Sequence, residues 1–220
     1  MTKKPQLLAA ILLGAACLVS HAAGNVEAGK QKAAACMGCH GPDGNTVPEM
    51  FAALKAPKLA GQLPEYLEKQ LRDFKTGRRS NEQMSPQAQA VAEADIPDIA
   101  AYFASQPARP NPATKKDQLA VGEKIFNKGK NRPEVVAACL GCHGPAGAGN
   151  TNWSKMMAKQ PAILAPAIGG QHAGYIASQL LAYREGKRSN DAAHVMRDVA
   201  NRLDAKDIEA VAEYVSTLSR

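Results

Sequence analysis

Cys36-Met37-Gly38-Cys39-His40 recurs further along the chain as Cys139-Leu140-Gly141-Cys142-His143. Cysteines three residues apart share one side of a helical turn, so both thiols reach one edge of a flat ligand, and the next residue swings an imidazole under its centre. That is the attachment pattern of c-type haem: two thioethers to the porphyrin and one histidine on the iron. A redox dithiol has no need of the histidine, and a zinc site would want two more ligands nearby. Each copy therefore reads as one haem. Cys36, Cys39, Cys139 and Cys142 would be the covalent attachment points, and His40 and His143 the axial ligands.

An iron held by histidine on one face needs a ligand on the other. In each half a methionine follows an Arg-Ser-Asn stretch and precedes the last helical pattern: Met84 and Met196. A neutral thioether favours Fe(II), which raises the potential and suits electron transfer. Met37 lies inside the motif, too close to reach the far face, and Met50, Met156 and Met157 fall where the halves do not match. His194, two residues before Met196, is the competing ligand, because imidazole also binds haem iron well. His172 reads as a surface residue or a propionate contact.

The elements that must position these residues are duplicated. Ala56-Pro57-Lys58-Leu59-Ala60-Gly61-Gln62 corresponds to Ala165-Pro166-Ala167-Ile168-Gly169-Gly170-Gln171, an offset of 109. The match continues through Tyr66 and Tyr175, Gln70 and Gln179, and Arg79-Ser80-Asn81 and Arg188-Ser189-Asn190. Met84 with Met196, Asp95 with Asp207 and Tyr102 with Tyr214 pair at 112, so three residues are inserted between these blocks. Two domains of one fold follow. Apolar periodicity predicts helices near 66–75 and 175–184, at 96–104 and 208–218 behind Asp95 and Asp207, and at 26–35 and 119–126. Alternating strand patterns are absent, so the class is all-α. We expect domains at 24–107 and 117–220 joined by a linker at 108–116, where Pro110 and Pro112 prevent a continuous helix. So short a linker should dock the halves.

Residues 1–23 read as a secretory signal: Lys3 and Lys4 precede an apolar run, and small residues suit cleavage after Ala22 or Ala23. Of the five cysteines four are in the haem motifs, leaving none for a disulfide. The fifth, Cys17, follows Ala15-Ala16 as a lipidated cysteine would, but Gly14 stands where such motifs carry an apolar residue. Export and haem attachment together point to the periplasm. The formal charge is +7, with 27 basic and 20 acidic residues, and no basic tract interleaved with aromatics suggests nucleic acid. Residues 23–107 carry 9 basic and 10 acidic residues, a balance of −1, and residues 108–220 carry 16 and 10, a balance of +6. Such a dipole would orient the second half toward an acidic partner or an anionic membrane surface through Lys155, Lys159, Arg184 and Lys187, with Lys55 and Lys58 mattering less.

On these motifs the whole mature chain resembles the dihaem cytochromes c4, two class I cytochrome c domains in tandem. The resemblance implies that the Pro57 and Pro166 carbonyls accept the Nδ1 hydrogens of His40 and His143. It implies that the first and last helices of each half cross at Gly29 with Tyr102 and at Gly122 with Tyr214. It also implies an electron carrier, not an enzyme, with no small-molecule substrate. Its partners would be membrane-bound respiratory complexes: cytochrome c oxidase, quinol-cytochrome c reductase or a dehydrogenase. Two other readings remain: the electron-accepting subunit of a periplasmic dehydrogenase, and a dihaem peroxidase, which would need a displaceable sixth ligand that a methionine in both halves argues against.

Overall fold

The computed structural model describes residues 24–150 and 164–220. The signal segment with Cys17, together with Lys155, Met156, Met157 and Lys159, lies outside the described residues. Helices dominate, and among the described residues β-structure is limited to the isolated bridges Lys130–Val136 and Asn150–Ala165.

In the first half α1 (Val26–Lys32) leads into α2 (Ala34–His40), which carries the first Cys-x-x-Cys-His motif; α3 is Pro48–Leu54, α4 Pro64–Lys75, α5 Met84–Ala90 and α6 Ile96–Ser105. Asn25 caps α1 by accepting from the Ala28 N–H at 2.9 Å, while its own N–H donates to Asp98 on α6 at 2.7 Å. Lys32 pairs with Asp95 at 2.8 Å and Asp98 at 2.5 Å, tying the other end of α1 to α6. Between these ties the backbones nearly touch. A Cβ on Gly29 would lie 1.9 Å from the Asp98 carbonyl oxygen and 2.9 Å from the Tyr102 Cβ, so only glycine permits the crossing.

The second half repeats the plan with α7 (Leu119–Lys128), α8 (Leu140–His143), α9 (Ala173–Arg184), α10 (Val195–Asn201) and α11 (Ala205–Ser216). Gly122 brings α7 onto α11, where a Cβ would meet the Ala210 carbonyl oxygen at 2.1 Å and the Tyr214 Cβ at 2.7 Å. Each half has its own apolar core: Leu67, Ile99, Tyr102 and Phe103 in the first, and Ile125, Phe126, Ile208, Val211 and Val215 in the second.

Three local features differ from the sequence expectation. The helix expected over 26–35 breaks at Ala33, which ends α1 and starts α2. Gly29 and Gly122 are 93 residues apart but Cys36 and Cys139 are 103 apart, so the second half also carries a ten-residue insertion ahead of its motif. It is folded back on itself by the Lys130–Val136 bridge and held down by Lys130 on Asp207. Finally, α11 starts at Ala205, ahead of the expected 208, because Asp204 and Asp207 form a reciprocal capping box.

The halves dock through residues that the duplication repeats. Arg79 donates to Tyr175 Oη and Gln179 Oε1, both at 2.9 Å, and to Gln70 Oε1 at 2.6 Å. Arg188 answers with Tyr66 Oη at 2.8 Å, Gln70 Oε1 at 3.2 Å and Gln179 Oε1 at 2.7 Å. The arrangement is pseudo-two-fold. Asn190 breaks the symmetry, crossing to Asp73 Oδ2 at 2.7 Å, whereas Asn81 stays local and accepts from the Met84 N–H at 2.8 Å. The C-terminal Arg220 bridges the halves by donating to the carbonyls of Gly169, Gly61 and Ala60 at 2.7, 2.5 and 2.8 Å. The connecting segment is held at both ends. Asn45 donates to Pro107 O at 2.9 Å, Asn111 donates to Gly170 O at 2.9 Å, and Glu213 accepts from the N–H groups of Thr114 and Lys115.

Candidate haem sites

The two motifs present the same chemistry in both halves. Cys36 and Cys39 lie on α2, Cys139 precedes α8 and Cys142 lies on it, and none of the four is in a disulfide. Cys36 and Cys139 pack against the cores of their own halves. Burial pushes the Cys36 thiol up and the Cys139 thiol up to about 11, the reverse of the depressed values that a redox dithiol uses. Among the described residues no group of three or more His, Cys, Asp or Glu side chains is placed to hold a metal ion, so a zinc reading of either motif lacks further ligands.

His40 and His143 are 5% and 7% exposed. His40 Nδ1 lies 2.8 Å from Pro57 O, and His143 Nδ1 2.8 Å from Pro166 O. A carbonyl can only accept, so Nδ1 carries the hydrogen and Nε2 keeps its lone pair for a metal. Burial lowers both imidazole pKa values, with the carbonyls pulling the other way, so each ring is neutral near pH 7. Thr46 Oγ1 lies 3.1 Å from both His40 O and Pro57 O and shares its one hydrogen between these carbonyls, which ties the turn behind the first ring together. A free thiol pair beside a neutral, oriented imidazole fits covalent haem in each half.

Met84 opens α5 and Met196 lies in the first turn of α10, each half-buried, with Met196 packed on the second core. The competing His194 is exposed and in the left-handed backbone region at φ 60°, ahead of the helix whose apolar side carries Met196. Met37 is half-buried against the first core, on the helix that bears the motif itself.

Two side chains differ from their sequence reading. His172 is not on the surface: it is 5% exposed between the halves, its ring stacked on Phe51 with centroids 4.4 Å apart. Burial, with nearby Lys58, lowers its pKa to about 4 against a raising contact from the Thr46 backbone. Lys58 is not a surface control for charge reversal either. Its Nζ is buried between Arg109 O at 2.7 Å and Asn111 Oδ1 at 2.9 Å, and burial, reinforced by Arg220 and Arg109, lowers its pKa to about 8. The sequence reading also missed that Tyr66, Gln70, Arg79 and their counterparts form the interface. The signal was there in polar residues kept in both copies, although a helical core needs none of them.

A family profile described as Cytochrome c matches residues 26–107 and 119–219. Cytochrome c4 of Pseudomonas aeruginosa is 41% identical over 201 residues, covering 91% of this chain and 92% of that protein. A thiosulfate dehydrogenase electron acceptor of Stutzerimonas stutzeri is 35% identical, covering 86% of this chain and 81% of that one. The crystal structure of reduced recombinant cytochrome c4 from Pseudomonas stutzeri superposes with a TM-score of 0.76 at 40% identity, covering 89% of this chain and all of that one. With two matched segments, and with two buried imidazoles set beside free cysteine pairs, the chain belongs to the cytochrome c family, as a tandem two-domain cytochrome of the c4 group that carries two covalently bound c-type haems.

Proposed function

We propose that the protein is a periplasmic carrier of single electrons between a membrane-bound respiratory donor, a quinol-cytochrome c reductase or a dehydrogenase, and a terminal oxidase or reductase. The observation that carries this reading is the repeated site: in each half a buried imidazole is held by a proline carbonyl at 2.8 Å beside a Cys-x-x-Cys pair, and the two halves are docked. Bound haem supplies one-electron chemistry at iron. The chain does the rest. Cys36, Cys39, Cys139 and Cys142 would hold the haems covalently, His40 and His143 would bind iron through Nε2, and Met84 and Met196 would supply the second iron ligand in each half. Pro57 and Pro166 fix ring orientation and raise ligand basicity, and the two apolar cores exclude water so that little reorganises when charge changes.

Residues 1–23 would direct export, and the +6 balance of the second half would orient that half toward an acidic docking surface. Mixing the reduced protein with oxidase-containing membranes tests this directly. Rapid oxidation that a cytochrome oxidase inhibitor blocks is expected, with no turnover of hydrogen peroxide. Peroxide consumption by the protein alone would replace the carrier reading with the peroxidase one.

The similarity to a thiosulfate dehydrogenase electron acceptor supports a second reading, in which the donor is a periplasmic dehydrogenase that this chain accompanies. Stable co-purification with such an enzyme, and reduction by it in preference to a quinol-oxidising complex, would favour that donor.

A further inference from the structure

Two buried glutamines connect the peptides that hold the histidines. The peptide group between Pro57 and Lys58 accepts the His40 Nδ1 hydrogen at its oxygen, 2.8 Å away, and donates its N–H to Gln171 Oε1 of the other half at 2.9 Å. The peptide between Pro166 and Ala167 does the same, accepting from His143 Nδ1 at 2.8 Å and donating to Gln62 Oε1 at 2.9 Å. Each side-chain amide then closes a ring, Gln171 Nε2 donating to Lys58 O and Gln62 Nε2 to Ala167 O, both at 2.8 Å. Gln62 is 8% exposed and Gln171 7%. Each Pro-to-Gln turn therefore has two tasks: it anchors the histidine of its own half and sends a glutamine to the peptide that anchors the other.

We infer that Gln62 and Gln171 are positioning residues through which each half sets the donor strength of the other half's axial histidine. The inference rests on His40 and His143 being the axial ligands. Hydrogen bonds in series polarise one another. A peptide whose N–H is engaged has a more negative oxygen, draws harder on the Nδ1 hydrogen, and leaves the imidazole a stronger donor that favours Fe(III). Because each glutamine comes from the opposite half, this tuning is crossed. Loss of an electron on one side, which tightens the pull on its Nδ1 hydrogen, is felt along the same bonds in the turn that carries the other histidine's anchor. Docking has other supports in Arg79, Arg188 and Arg220, so the glutamines can be changed while those contacts remain.

Q171M and Q62M keep side-chain length but remove the amide. In the holo, full-length protein, each is examined by spectroelectrochemical titration and by proton NMR of the reduced state, with the haems assigned to their halves through M84A and M196A. Q171M should raise the potential of the first-half haem and move the His40 Nδ1–H resonance upfield while leaving that of His143 in place. Q62M should do the reverse. Shifts confined to the same half as the mutation, equal shifts in both halves, or no shift would overturn the inference. If either methionine variant fails to accumulate with two haems, Q171N and Q62N shorten the reach by one carbon and read the same crossed pattern. A failure of the ligand assignment itself would show separately, as H40A and H143A leaving the wild-type haem spectra unaltered.

Discussion

Replacing Gly122 by alanine sets two effects of known size against each other. Alanine inside a helix gains about 1 kcal/mol over glycine in intrinsic propensity. Against this, the new Cβ would lie 2.1 Å from the Ala210 carbonyl oxygen and 2.7 Å from the Tyr214 Cβ. A carbon and a carbonyl oxygen rest at no less than ~3.3 Å, so α7 and α11 must part by roughly 1 Å, and backbone on both sides leaves no flexible side chain to give way. Parting them loosens Ile125 and Phe126 from Ile208, Val211 and Val215. Overpacking of a rigid contact costs about 3 kcal/mol or somewhat more, so after the propensity gain the net loss is about 2–3 kcal/mol. For a domain of this size that lowers the melting temperature by roughly 10–20 °C. Guanidinium titration followed by far-UV circular dichroism and Soret absorbance measures it, and G29A provides the same test in the first half. A loss under about 1 kcal/mol, or a gain, would show that helix propensity outweighs the crossing and that the glycines are not what sets the helix separation.

Other outcomes follow from the sites and the interface. The sulfur-to-iron charge-transfer band of the ferric protein should halve in M84A and in M196A, whereas H194A should leave it and the potentials unchanged; loss of the band in H194A would reassign the second-half ligand. At Asp73, which is 1% exposed, burial works to raise the pKa, but Lys69, Asn190 and Arg78 outweigh it and hold the carboxyl below its unperturbed 3.8. A depressed carboxylate contributes stability that is complete above the unfolded value and lost as pH falls through the folded one. The melting temperature should therefore fall below pH 4 more steeply in the wild type than in D73N, and parallel curves would remove Asp73 from the acid response. Oxidation by the terminal oxidase should slow with added salt, and K187E should slow it more than K55E; equal effects from both would leave the charge division without a role in docking.

The motifs were legible because covalent chemistry demands fixed residues at fixed spacing: Cys36, Cys39 and His40 can be read without knowing any fold. The helix crossings were legible once the resemblance was in hand, since Gly29 and Gly122 have no other use in mid-helix. The break at Ala33 was not, because alanine carries no stop signal. Nor was the burial of His172 and Lys58. Both are polar residues outside the predicted helices, and each is covered by chain distant in sequence: His172 by Phe51 of the first half, and Lys58 by Arg109 and Asn111 of the connecting segment and by Gln171 of the second half. The interface itself was written in the repeat, but Tyr66, Gln70 and Arg79 looked like features of one domain until their partners were seen to be their own duplicates.

An anaerobic redox titration followed by absorption spectroscopy tests the central claim most directly. The account predicts two one-electron transitions per chain, both haems low-spin in each oxidation state, and the ferric sulfur-to-iron band present at an intensity set by two His/Met sites. A single transition accounting for one haem, or a high-spin haem with an exchangeable sixth position, would contradict it.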